Sequence, residues 1–456
     1  MSVYDLVYAA GLLASAPIWL AAPRLRRKVL DAIFSRTGDA PARQGNEPAV
    51  LIHAVSLGEI NATTALVRML GQAGPDLRFI ITTTSRTGSQ RAVSLYGNDP
   101  RITLIRYPFD FSGPVARLLD AQRPALAVLM ELEVWPNFMR ECVRRDIPVV
   151  LINGRLSAHS FRRYKLAGLV TRRMFKRLAL ACVQEETYAR RFIGVGVPAE
   201  KVRVTGTMKF DTAQIADTIE GAAQIADAVG LHPGTEKLWV CGSTGPGEEQ
   251  ILLDVYSELL PRHPTLRLVV VPRHPERFEE MANLIGSRGF ACVRRSQTPD
   301  RRSGGSGAEP TGERDFPGSF GRSVGQASLP VILGDTMGEL RKFYSLADIV
   351  FVGRTLVDLG PKQHGSDMIE PAALGKPVLI GPFTGNFADV MSRFRDAGAI
   401  REVSGKAALI EAMEQLLASP TKAADMATRA RQVVRQNQGA TAAHVEIILG
   451  WIAGLT

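Results

Sequence analysis

Apolar and polar positions follow a repeating order along most of the chain. An apolar run at 49–55 stops at Ser56-Leu57-Gly58, and a spacing near 3.6 begins at Ile60 and continues through Ala62, Leu66, Val67 and Leu70. This pattern predicts a buried parallel strand followed at once by a helix. Further strands are predicted at 77–83, 102–106, 125–131, 147–152 and 179–183, with helical patterns between them. A second series covers 238–242, 266–272, 290–294, 330–333, 348–352 and 377–380. Regular β-α alternation predicts parallel, doubly wound sheets. The chain therefore reads as an α/β protein of two Rossmann-like domains facing a cleft, 40–211 and 236–430. Residues 212–235, where Ala-Gln-Ile-Ala-Asp occurs twice, read as the connection. Helical patterns at 406–417 and 422–452 have no strand partners, and 431–456 is expected to close the fold as a helix.

The N-terminus departs from this order. Val3 to Ala22 is apolar apart from Asp5, and Arg24, Arg26, Arg27 and Lys28 follow directly. The run is just long enough for a bilayer core of ~30 Å. A cleaved signal carries its charge before the apolar run, not after it. The positive-inside rule then keeps the rest of the chain in the cytoplasm. Residues 1–28 are expected to anchor the protein to the inner membrane, spanning it or lying on it. A net charge of +10 points to an anionic partner. The four scattered cysteines read as free thiols, with no metal-ligand spacing. The Gly-, Ser- and Arg-rich stretch 296–328 reads as a surface insertion.

Candidate chemistry sits where predicted strands end. Glu59 falls in the first turn after Ser56 and Gly58, at the sheet edge where open α/β folds bind ligands. Such a carboxylate suits a general base. Glu131 and Glu133 are predicted on one face of a strand end, close enough to raise one another's pKa. Asn153 and Arg155 form another polar edge loop. In the second half, Gly242, Ser243 and Thr244 occupy a small-residue turn before a helix, which suits phosphate. Arg273 and His274 offer donors to an anion. Thr336, Met337 and Gly338 lie in a third strand-to-helix turn, where an Asp or Thr cap is expected. Glu370, near a helix start, is placed to accept ribose hydroxyls. A basic, partly apolar stretch, 161–177, suits an acidic lipid surface.

Together these segments resemble the 3-deoxy-D-manno-octulosonic acid (Kdo) transferases of lipid A assembly. The pieces are HAVSLGE (53–59), TTTSRTG (82–88), MELEVWPN (130–137), LINGRLS (151–157), TGTMKFD (205–211), CGSTGPGEE (241–249), PRHPER (272–277), LGDTMGEL (333–340) and EPAALGKPVLIGP (370–382). The resemblance implies a glycosyltransferase-B fold, CMP-Kdo as donor, a phosphorylated lipid A precursor as acceptor, inversion at the anomeric carbon, and neither a metal nor a nucleic-acid partner. It makes Glu59 the base, with Glu131 and Glu133 as acidic supporters. Ser243, Thr244, Arg273, His274, Gly338 and Glu370 become the CMP pocket, and Lys209 faces the donor's carboxylate. Where the family has a second Gly after Phe-Val-Gly, this chain has Arg354. A nucleotide-sugar epimerase would need no lipid anchor, and a binding-only membrane protein would show no transfer.

Overall fold

Apolar runs become strands wherever both of their faces are covered. In the computed structural model, which describes residues 2–298, 329–360, 363 and 365–454, two units form: Met1–Thr212 with Asn437–Thr456, and Ala213–Gln436. Of the predicted insertion, 299–328 lies outside the described residues.

The first unit holds β1 (Ala49–His53), β2 (Arg78–Thr83), β3 (Ile102–Arg106), β4 (Leu126–Met130), β5 (Val149–Gly154), β6 (Leu180–Val183) and β7 (Val202–Val204). All are parallel, in the order β3-β2-β1-β4-β5-β6-β7. The order reverses between β1 and β4, and ligands of such sheets bind beyond the carboxyl ends at that reversal. Two apolar layers cover the sheet, one built around Leu51, Leu129 and Phe138 and the other around Ile52, Leu66 and Val128. The second layer also contains Val445, Ile448 and Ile452. The helical pattern at 422–452 is thus broken. One helix ends at Asn437, Gly439 takes φ 111°, and Ala440–Ala453 packs in the first unit.

The second unit holds β8 (Lys237–Thr244), β9 (Leu266–Pro272), β10 (Cys292–Arg294), β11 (Val331–Leu333), β12 (Ile349–Val352), β13 (Val378–Ile380) and β14 (Arg401–Glu402). Their order is β10-β11-β9-β8-β12-β13-β14, reversing between β8 and β12. The short edge strands β7 and β14 were not predicted; too few residues carry a pattern. The stretch 212–235 is more than a connection. It contains a helix, Ala222–Val229, whose Ile225 and Ala226 are buried within this unit.

Two helices precede β1: α1 (Val3–Ala21) and α2 (Pro23–Ser35). Among the described residues α1 is the one helix long and apolar enough to cross a membrane. Its start is nevertheless tied to the first unit. The buried Asp5 carboxylate accepts from Ser112 N (2.8 Å), Ser112 Oγ (2.5 Å) and Asn137 Nδ2 (3.0 Å). Ser2 Oγ donates to Asn137 Oδ1, and Tyr8 donates to Asp110. The basic stretch 161–177 also differs from its pattern: it forms two helices, Ala158–Leu166 and Gly168–Phe175, parted at Gly168 with φ 51°.

Candidate active site

The end of β1 leads straight into α3 (Leu57–Ala73) because Ser56 and Glu59 close a reciprocal cap. Ser56 Oγ accepts from Glu59 N. The Glu59 carboxylate turns back over the same turn. Its Oε2 accepts from Val55 N (2.9 Å), and its Oε1 accepts from Ser56 N (3.3 Å) and Ser56 Oγ (2.7 Å). These donors hold the carboxylate at a partly exposed position and leave Oε2 with a second lone pair unengaged by them. Gly58 lies exposed beside it.

Glu131 and Glu133 reach the same region by a different route from the one predicted. β4 ends at Met130, and Glu131 adopts a left-handed conformation, φ 55°. The strand-face argument therefore fails, because a turn carries both carboxylates. They do converge on Glu59. Burial raises the Glu131 pKa and the Glu59 charge raises it further, while Lys209 and Arg155 pull it down. Burial raises Glu133 too, followed by Glu59 and Glu131 beyond the opposing hydrogen bond from Trp135 Nε1 (3.0 Å). Asn153, φ 52° and buried, accepts from Met208 N through Oδ1 (3.2 Å). It thereby fixes the loop that carries Lys209. Arg155 N donates to the Glu131 carbonyl (3.2 Å), which fixes the turn.

Sequence reasoning passed over His53 as a site residue. It is fully buried, and its ring stacks on Tyr107 at 3.9 Å. Burial lowers its pKa to about 3, so it is neutral at pH 7. Nδ1 lies 3.2 Å from the Thr82 carbonyl and 2.9 Å from Thr82 Oγ1, so its partners are on that side and Nε2 is left over. Among the described residues that atom has no hydrogen-bond partner, and it lies 4.0 Å from Glu133 Oε2. A polar residue inside an otherwise apolar strand was the available signal.

At the reversal of the second sheet, β8 runs on through Ser243 and Thr244, so neither hydroxyl caps the next helix, Glu248–Leu259. Ser243 takes φ 56°, and among the described residues the buried Thr244 Oγ1 lacks a hydrogen bond. Gly242 has a packing reason: a Cβ there would strike the Tyr344 hydroxyl. One N–H at the end of that turn, Gly245, is already engaged. The fully buried Glu248 carboxylate accepts from Gly245 N (2.9 Å), Arg354 N (2.5 Å), Thr355 N (2.6 Å) and Leu356 N (2.7 Å). Positive charge comes instead from guanidiniums. Arg273 N donates to the Thr244 carbonyl, leaving Arg273 and His274 exposed just past β9. Arg354, just past β12, adopts φ 59°, a conformation that favours glycine. Burial lowers its pKa, and the Arg273 charge lowers it again. Among the described residues its Nε is buried without a partner.

Glu370 lies in the first turn of Ile369–Ala373, with Arg341 at 3.9 Å. Burial, then the Asp367 charge, raise its pKa to about 7. The buried Tyr344 feels both Glu370 and Arg273, which places these groups around one ring. Thr336, Met337 and Gly338 line a separate open pocket of about 490 Å³ with Arg295 and Ser296. The expected cap there is absent. Asp335 instead accepts from Ser296 and Arg294, and Thr336 bonds Glu339. Among the described residues, no three His, Cys, Asp or Glu side chains group in a way that could hold a metal ion.

Residues 31–212 match the family model described as 3-deoxy-D-manno-octulosonic-acid transferase (kdotransferase). The chain is 32% identical over 422 residues to the 3-deoxy-D-manno-octulosonic acid transferase of Haemophilus influenzae, covering 92% of this chain and 90% of that one. It is 32% identical over 461 residues to the transferase of the same name from Bordetella pertussis, covering 98% and 99%. Among solved structures, UDP-GlcNAc 2-epimerase from Neisseria meningitidis gives a TM-score of 0.56 at 16% identity, covering 88% of this chain and 100% of that one. A glycosyltransferase from Rickettsia africae gives 0.54 at 12%, covering 90% and 99%. These structural likenesses bear on the fold, which is of the glycosyltransferase-B type.

Proposed function

The chain belongs to the 3-deoxy-D-manno-octulosonic acid transferase family and is a Kdo-transferring glycosyltransferase, and from that premise we propose that it moves Kdo from CMP-Kdo to a phosphorylated lipid A precursor with inversion. The observation that carries this reading is the convergence of Glu59, Glu131 and Glu133 beyond β1 and β4, at the reversal of the first sheet. Glu59 Oε2 takes the proton of the acceptor's sugar hydroxyl. That oxygen attacks the anomeric carbon as the bond to the CMP phosphate breaks, and cytidylate leaves. Arg273 and Arg354 balance the charge growing on the departing phosphate. Lys209 takes the donor's carboxylate. Glu131 and Glu133 surround it with negative charge, which favours bringing a proton into the cluster. The reading calls for no metal. Incubating the purified protein with CMP-Kdo and a tetra-acylated lipid A precursor, then weighing the lipid, tests it. A mass gain of one or more Kdo units supports it, and an unchanged lipid refutes it.

The anchor reading narrows as well. Contacts from Ser2 to Tyr8 bind the start of α1 to the first unit, so 9–21 remains, about 20 Å of helix at ~1.5 Å per residue. That is short of a ~30 Å hydrocarbon core. We therefore propose that α1 lies in one leaflet of the cytoplasmic face of the inner membrane, with the basic start of α2 among headgroups.

Two predictions belong to the donor side. Ribose hydroxyls bind an ionised Glu370 better than a protonated one. With its pKa near 7, the ionised fraction rises roughly tenfold between pH 6 and pH 8. Affinity for a cytidine 5′-phosphodiester, which does not titrate there, should rise by about that factor with pH. Calorimetry should also show proton release, and Glu370→Gln should flatten both. Separately, Arg354→Gly should raise the thermal midpoint of the second unit, by relief worth about 1 kcal/mol. The same change should raise the KM for CMP-Kdo severalfold, with a weaker salt dependence; an unchanged KM would remove Arg354 from the donor site.

A further inference from the structure

A groove of about 900 Å³ lies between the α1–α2 pair and the segment that follows β3. Leu12, Val29 and Ile33 line it on the helix side, and Phe111, Tyr107 and Trp135 on the domain side. It is at the upper end of the ~300–1,000 Å³ typical of ligand pockets. We infer that this groove seats one acyl chain of the acceptor lipid, with the lipid's phosphate against Arg36; the inference rests on the reading of the acceptor as an acylated, phosphorylated sugar.

Three observations select that occupant. The groove shares its walls with the carboxylate cluster: Trp135 donates to Glu133, and Tyr107 stacks on His53. A chain lying there therefore leads its sugar to Glu59. The helices bordering the groove expose Leu6, Leu13, Ile18 and Phe34 to their surroundings, so a chain enters from a lipid phase without crossing water. Arg36 supplies the charge. Its guanidinium donates to the Tyr107 and Pro108 carbonyls at 2.7 and 3.2 Å and lies 4.2 Å from the Phe109 ring centre. Among the described residues no carboxylate lies within ion-pair distance of it; Glu133 acts on it only from farther off, which leaves its charge for a phosphate.

Gly11 offers a way in, because a Cβ there meets nothing within 4 Å, and a side chain at Gly11 grows into open groove. In native protein on vesicles containing an acceptor with a diazirine in one acyl chain, light should label Val29, Ile33 or Phe111. Labels confined to the exposed Leu13, Ile18 and Leu166 would overturn the inference, as would groove labelling by a diazirine phospholipid that acceptor does not displace. In Gly11→Phe, kcat/KM for the acylated acceptor relative to its deacylated form should fall at least tenfold from the native ratio; an unchanged ratio also overturns it. If the native protein transfers no Kdo, the functional reading fails instead. Transfer intact with an unlabelled groove sinks this inference alone.

Discussion

Glu59→Gln should lower kcat by about 10³-fold, the scale of a lost general base, while leaving the affinity for the donor nucleotide unaltered. The substitution is clean because of where the carboxylate sits. Glutamine also completes a Ser-x-x-Glu/Gln cap, so its Oε1 still accepts from one of the two N–H groups that the carboxylate's oxygens take separately, and α3 keeps its start. Folding stability should change by less than about 1 kcal/mol. What disappears is the second lone pair of Oε2 and the charge that makes it basic. Single-turnover transfer, with equilibrium binding of nucleotide measured in parallel, separates the two effects. Native turnover in this variant would exclude the base role, and lost nucleotide binding would show a structural defect. The pH profile offers a second reading. Glu131 and Glu133 are raised by burial and by neighbouring charge, so both bind protons above the usual carboxylate range. As pH falls they neutralise early, the negative charge of the cluster drops, and transfer should decline on the acid side.

The sequence carried the repeating architecture because buried parallel strands read as apolar runs, and twelve of the fourteen strands were placed close to their observed bounds. The ends of those strands were harder. Glu131 looked like a strand residue because the apolar run continues to it, yet the backbone turns left-handed there, and no periodicity encodes a single φ. The same limit hid Ser243 and Arg354. The two-residue β14 carries too few positions for a pattern. The final helix joined the first unit through Val445, Ile448 and Ile452, a choice of partner that amphipathic spacing does not specify. Asn153 was singled out for a ligand, but its side chain holds the Lys209 loop. His53 escaped notice because a buried histidine between apolar neighbours is most often plain core. Its Nε2, facing Glu133 without a partner, gives it a place in the site.

Glu248→Ala should destabilise the second unit by about 3 kcal/mol or more and remove donor binding with it. The carboxylate joins two turns that are far apart in sequence, 245–248 after β8 and 353–356 after β12, through four backbone N–H groups. Each buried donor left unsatisfied costs about 1–3 kcal/mol, and partial entry of water keeps the total below the simple sum. Arg354, whose N–H is one of the four donors, is the residue with φ 59°. The staple therefore sets where the Arg354 guanidinium lies relative to Arg273. Removing it would free N–H groups that resemble an anion site, and a gain in phosphate affinity would be the opposite result. The structure argues against that gain, because the turns lose the link that holds the N–H groups convergent. Urea unfolding followed by fluorescence of Trp239, which is fully buried in β8, measures the stability, and titration with CMP measures the site. A variant that unfolds as the native protein does and binds CMP equally well would show that the strand-end turns hold themselves, with Glu248 a passenger.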